Sequence, residues 1–219
     1  MITFLGFILN SISSQSKSLS LSWWVVIFLL VMLFLGGAVV IFRKSEQRSM
    51  MTELPIAEVP DFRFTTQEGK TLTKADLLGK VWVVDFIFTR CSGPCPIMTS
   101  HMIELASKVA KIPNVKLVSV SVDPLYDTPQ VLAQYATNIQ ADPTRWYFVT
   151  GPLDKITAFT QQGMKQTLVS EPGAMPSHSS RFMIVDQEGM IRSYHDVNDP
   201  EVVQKVLIDI GSLVRKKNN

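Results

Sequence analysis

KVWVVDFIF, residues 80–88, is the stretch that most limits what this chain can become. It is an almost continuous apolar run of strand length, the pattern of a central strand buried on both faces. Such a strand needs cover on either side, and the residues that follow begin to supply it. In Met98, Met102, Leu105 and Val109 the apolar positions recur at i, i+4, i+7 and i+11, one face of a helix that starts near Pro94. Between strand and helix lies TRCSGPCPIM (89–98), which carries the only two cysteines, Cys91 and Cys95.

The rest of the chain extends this frame. FRFTTQEGKTLT (62–73) alternates around Glu68-Gly69 and reads as a hairpin. VKLVSVSVD (115–123) is a second buried strand and RWYFVT (145–150) a third. Asp127-Thr128-Pro129 marks a helix start, with a capping side chain and a proline in the first turn. A further helix is expected over 152–162, and RFMIVD (181–186) with MIRSYH (190–195) forms a closing hairpin around Gln187-Glu188-Gly189. A last helix runs from Asp199 to Arg215. Strands alternating with helices imply a largely parallel sheet with right-handed crossovers. The expected class is α/β with a thioredoxin-like arrangement, a central mixed sheet flanked by helices. The cysteine pair then stands at the carboxyl end of a central strand and at a helix amino terminus.

Ahead of this domain, Trp23 to Phe42 carries no charge and no strongly polar residue. Twenty residues of helix reach about 30 Å, the thickness of a bilayer core. Two tryptophans mark one end and Arg43-Lys44 the other. The run is too long for the apolar region of a signal peptide, and no small-residue cleavage site follows it. The expected organisation is a tail (1–22), a transmembrane helix (23–42) in contact with membrane lipid, a linker (43–59) and one folded domain (60–215). Arg43, Lys44 and Arg48 follow the helix, whereas only Lys17 and the amino terminus precede it; that count alone favours a cytoplasmic domain, although large C-terminal domains cross regardless of nearby charge.

With 46% hydrophobic residues the chain can build a full core without cross-links, and a net charge of +2 gives no reason to expect nucleic acid as a partner. Two cysteines cannot make a four-thiolate zinc site or a disulfide scaffold. The helix amino terminus and Arg90 both favour thiolate over thiol, so both cysteines are expected to be more acidic than a free thiol and to face solvent. Thiolates attack disulfides and bind soft metals. Residues at i and i+4 of a helix lie roughly 5–6 Å apart at Cβ, so both sulfurs can reach one point, while a disulfide needs a looser first turn. A redox pair and a metal clip therefore both remain open. Two thiolates suit Cu(I), and a nitrogen donor extends the site to Cu(II) or Zn(II). Of the three histidines, His101 reads as surface or helix packing and His195 as solvated. His178, in the loop 169–180 that precedes strand 181–186, is the one a thioredoxin-like fold brings to the cysteines. Met98 and Met102 read as core rather than as copper ligands.

FTRCSGPCPIM, SVDPLYDTP, WYFVTG and HSSRFMIVDQEG together resemble the Sco/SenC family, over about residues 60–214. These are membrane-tethered, thioredoxin-like copper proteins that help assemble the Cu(A) centre of cytochrome c oxidase. The resemblance implies copper, Cu(I) or Cu(II), on Cys91, Cys95 and His178, and places the family's acidic loop position at Asp123, shaping the site or the partner surface. It implies delivery to the oxidase's copper-bearing subunit, with other copper chaperones or thioredoxin-like reductants as further partners. It also implies a domain facing the periplasm or the mitochondrial intermembrane space. The implied role is metallochaperone rather than enzyme. The Gly-Pro before Cys95 is thioredoxin-like, and it keeps the alternative of a thiol-disulfide oxidoreductase that maintains the oxidase's cysteines reduced.

Overall fold

A computed structural model describes residues 23–38, 55–91, 93, 95–166, 168–169, 177–178 and 180–216, with the backbone alone at 169, 177, 178 and 216. The chain divides into two compact units, Met1–Met51 and Thr52–Asn219.

In the first unit, residues 23–38 form a helix whose side chains are exposed throughout. Among the described residues no helix is long and apolar enough to cross a membrane. The expected span runs on to Phe42, and residues 39–42 lie outside the described residues.

The second unit is built on an eight-stranded sheet in the order β1-β10-β9-β4-β5-β6-β2-β3. At its centre is β4 (Val81–Ile87), every residue of which is buried, as a near-continuous apolar run requires. It pairs in parallel with β5 (Val115–Ser121), which pairs in parallel with β6 (Trp146–Thr150). The connections are α2 (Cys95–Val109) and α3 (Pro129–Asn138). On the other side β4 meets β9 (Arg181–Val185) antiparallel, and β9 returns through a turn into β10 (Met190–Asp196). β2 (Arg63–Thr66) and β3 (Thr71–Thr73) form the expected hairpin, and α1 (Lys74–Leu77) follows it. Gly69 takes φ +76° there, a left-handed conformation that a side chain opposes. α5 (Val202–Lys216) completes the domain.

The sheet, expected to be largely parallel, is parallel only across β4, β5 and β6 and antiparallel in its other pairings. Three elements also depart from the sequence reading. Ala57–Glu58, taken as linker, adds β1 to the sheet edge against β10, too short a strand to show any periodicity. The helix expected over 152–162 is α-helical only as α4 (Leu153–Ala158) and continues as a π-helical segment, Phe159–Gly163. Gly163 fits there because an added Cβ would come within 2.6 Å of Pro60 Cγ. In the stretch expected to be an irregular loop, β7 (Leu168–Val169) pairs with β8 (Ser177–His178), and residues 170–176 lie outside the described residues.

Candidate metal centre

Neither cysteine is in a disulfide. Cys91 lies in the turn after β4, where its N–H donates to the carbonyl of Phe88 at 3.1 Å, and it is half-buried. Cys95 is the first residue of α2 and only 2% exposed. The two are therefore not an i, i+4 pair on one helix, because Cys91 precedes the helix. They come close nonetheless: the Cys91 thiol is near enough to act on that of Cys95, and both line one cavity. The Gly93 N–H also points to Cys91 Sγ, at 3.4 Å.

The expectation that both thiols are acidic and face solvent fails at Cys95. Burial, with the Cys91 thiol as second cause, pushes its pKa up to about 12. The geometry explains this. The buried face of α2 comprises Cys95, Met98, Met102, Leu105 and Val109, so Cys95 extends the core row back by one turn. Desolvation of a thiolate there outweighs the partial charge of the helix end. Arg90, expected to help, is engaged elsewhere. Its guanidinium donates to Asp123 Oδ2 at 2.6 Å and lies 4.1 Å from the centre of the Tyr126 ring.

Asp123 is thus held at the end of β5 on the strand-end loop. Its carbonyl accepts from the N–H groups of Tyr126 and Asp127, and its own N–H donates to Ser121 Oγ at 3.1 Å. The helix start expected over Asp127-Thr128-Pro129 is present, with the proline in its first turn. Thr128 is the cap, accepting from the Val131 N–H. Asp127 is fully buried and accepts from the Thr89 N–H and from the hydroxyls of Thr89 and Ser121. It ties the turn that carries Cys91 to the end of β5.

Beneath the pair lies a group that the sequence reading passed over. Asp85, within the apolar run of β4, is 1% exposed. Ser119 donates to its Oδ1 at 2.6 Å, and Trp146 Nε1 donates to Ser119 Oγ at 2.9 Å. Asp85 Oδ2 has no hydrogen-bond partner among the described residues. Burial raises its pKa to about 7, against the bond from Ser119, which lowers it. The available signal was an acidic residue inside a run that otherwise reads as core.

His178 falls in β8, where its backbone is in register with Leu168; its side chain lies outside the described residues. Among the described residues no three His, Cys, Asp or Glu side chains cluster to hold a metal. His101 packs edge-on against Phe182 with ring centres 6.4 Å apart, as a helix-packing residue does. His195 is not solvated as expected. It is 14% exposed, and its Nε2 lies 2.8 Å from Asp209 Oδ2 and 3.2 Å from Ser193 Oγ, fastening β10 to α5. Met98 and Met102 are both fully buried in the core, as read from the periodicity.

Next to the thiols is a cavity of about 340 Å³ between α2 and α3, lined by Phe88, Cys91, Cys95, Thr99, Ile103 and Tyr135 among others. A larger cleft, about 1000 Å³, lies against β2 and α4 and contains neither cysteine.

A sequence profile of the SCO1/SenC family matches residues 51–211. The chain is 36% identical over 147 residues to the SCO1 protein homolog of Bacillus subtilis, an alignment covering 65% of this chain and 76% of that one. The fold matches the structure of BsSco, described as a member of the Sco family of cytochrome c oxidase assembly proteins with a disulfide switch. That match has a TM-score of 0.65 at 34% identity and covers 73% of this chain and 95% of BsSco. It also matches ScoI of Bradyrhizobium japonicum with copper bound, at a TM-score of 0.57 and 22% identity, over 72% of this chain and 99% of that one, which is a likeness of fold.

Proposed function

Because the chain belongs to the SCO1/SenC family, we propose that it is a membrane-anchored copper metallochaperone serving assembly of the Cu(A) centre of cytochrome c oxidase. Cys91, Cys95 and His178 bind one copper ion as cargo, and the oxidase's copper-bearing subunit receives it. The observation that carries this reading is the pair of thiols, with no disulfide between them, that line one cavity at the carboxyl end of β4, one half-buried and one in the core. Two sulfurs already that close need little rearrangement to share a soft ion. Copper must displace the Cys95 proton, which burial holds tightly, so metal uptake releases protons at this site. Copper bound to a Sco protein of the same fold supports the choice of metal.

The anchor is the apolar stretch 23–42, of which 23–38 is helical. With it, the domain faces the periplasm or the intermembrane space. Asp123, locked to Arg90 beside the thiols, shapes the rim that the partner meets.

The same pair of thiols favours a second reading, a thiol-disulfide oxidoreductase that keeps the oxidase's cysteines reduced. One site serves both, since copper and an S–S bond compete for the same sulfurs. The test is to purify the full chain reduced, add one equivalent of copper, and count metal by mass spectrometry under non-denaturing conditions. One copper per chain, lost when either cysteine is replaced, is the expected result. A reduced protein that binds none would leave only the oxidoreductase.

A further inference from the structure

We propose that the groove between α2 and α3 is a docking subsite for an extended segment of the protein partner, taking an uncharged, apolar side chain three or four residues from the partner's reacting cysteine. This rests on the reading that Cys91 and Cys95 exchange copper or disulfides with another protein.

The groove follows from helical spacing. Cys95, Thr99 and Ile103 stand at i, i+4 and i+8 of α2, so they form one row along the helix. All three line the cavity that opens beside the thiols. From Cys95 to Ile103 the row runs about 12 Å at ~1.5 Å per residue. An extended chain covers that distance in three or four residues at ~3.3 Å each. A peptide whose sulfur sits at Cys91 therefore brings a side chain three or four positions away over Ile103.

The lining sets the chemistry. None of the residues around the cavity is charged. Ile103 is 42% exposed, a large aliphatic side chain turned outward at the far end of the row. Phe88 lines the cavity as well, and Tyr135 closes it from α3. The floor makes little polar demand, because Thr99 Oγ1 and Tyr135 Oη are hydrogen-bonded to each other at 2.7 Å. A lysine or glutamate of the partner would find no counter-charge there and would lose its water. A leucine or methionine would bury apolar surface on Ile103 and the Tyr135 ring. The volume, about 340 Å³, is at the small end for ligand sites and holds one such side chain with its backbone.

The test uses the full-length reduced protein in detergent and peptides whose single cysteine is activated as a 2-thiopyridyl mixed disulfide. The Cys91 thiolate attacks the peptide sulfur, the peptide–thiopyridyl bond breaks, and pyridine-2-thione leaves with the electron pair and is followed by absorbance. Cys95 then attacks Cys91 Sγ, the mixed disulfide breaks, and the peptide thiol is released. Two peptides differ only in carrying Leu or Asp four residues from the cysteine, and glutathionyl thiopyridyl disulfide is the small control. The expected result is a preference of about tenfold for the Leu peptide. Ile103→Ser abolishes it, Ile103→Leu keeps it, and neither variant changes the rate with the control. Equal rates for the two peptides in the natural protein, or a preference that survives Ile103→Ser, overturns the subsite while a chain that still binds one copper leaves the proposed function standing. Thiols silent toward the control, in a protein that also binds no copper, overturn the function and the subsite together.

Discussion

Asp85→Asn tests whether a buried carboxyl group taxes this fold at neutral pH. In the folded domain the Asp85 pKa is about 7, against 3.8 for the unreacted side chain, with burial as the main cause. The folded state therefore keeps a proton that the unfolded state gives up between those values. Stability falls wherever the native state binds more protons than the unfolded one. Its contribution is thus fully present below about pH 4, is lost as pH rises toward 7, and is level above that. A difference of about three pH units, at about 1.4 kcal/mol each, amounts to roughly 4 kcal/mol. Asn keeps the acceptor for Ser119 and cannot ionise, although its amide leaves a donor on the side where Oδ2 has no partner, a cost of about 1–3 kcal/mol at every pH. Urea unfolding of residues 52–219, the second compact unit, at a series of pH values reads the effect. With a slope of about 2 kcal/mol per molar, the gap between variant and natural midpoints should move by roughly 2 M between pH 4 and pH 8, in favour of the variant at high pH. Carboxylates elsewhere whose pKa is lowered, Asp76 and Asp142 among them, are common to both proteins and cancel in the difference. Parallel midpoint curves would refute the reasoning, because they would mean that Asp85 ionises in the folded domain as freely as in water.

His178→Ala should weaken Cu(II) binding far more than Cu(I) binding, since a dithiolate alone suits Cu(I) whereas Cu(II) seeks imidazole; titrating each oxidation state separately checks this, and equal losses would remove His178 from the ligand set. An alkaline phosphatase fused after Asn219 should be active in a bacterial host, because that enzyme matures only in an oxidising compartment; an inactive fusion with an active cytoplasmic reporter would reverse the orientation. Copper and a Cys91–Cys95 disulfide should exclude each other, so oxidised protein should bind copper poorly until reduced; non-denaturing mass spectrometry that found both in one molecule would send the metal elsewhere. Cys95→Ser should also cost about 1–3 kcal/mol of stability that Cys91→Ser does not, because it buries a hydroxyl at a position 2% exposed; thermal melts of the two variants separate these costs.

The middle of the sheet was legible because its strands are largely buried on both faces. β4, β5, β6 and β9 each read as apolar runs, and their order in the chain dictates the crossovers. The close approach of Cys91 and Cys95 was also legible, from their place between a strand and a helix. The burial of Cys95 was there to be read as well: it sits three residues before Met98 and so continues the helix's apolar row. Local signals instead suggested a charged, solvated thiol. The roles of Asp85, Asp127 and His195 depend on partners distant in sequence, Ser119, Thr89 and Asp209, which no spacing rule brings together. The π-helical turn at Phe159–Gly163 depends on how α4 meets Pro60, a tertiary contact with no periodic signature.

The bonds from Trp146 through Ser119 to Asp85 have an optical consequence. An indole whose N–H donates to a hydroxyl, which in turn donates to a titrating carboxyl, feels a unit of charge appear two bonds away. Both ends are dry, Trp146 at 2% and Asp85 at 1% exposure, so solvent screens little of that charge. The emission of Trp146 should therefore change colour as Asp85 ionises, and the domain carries its own dye for the protonation of its core.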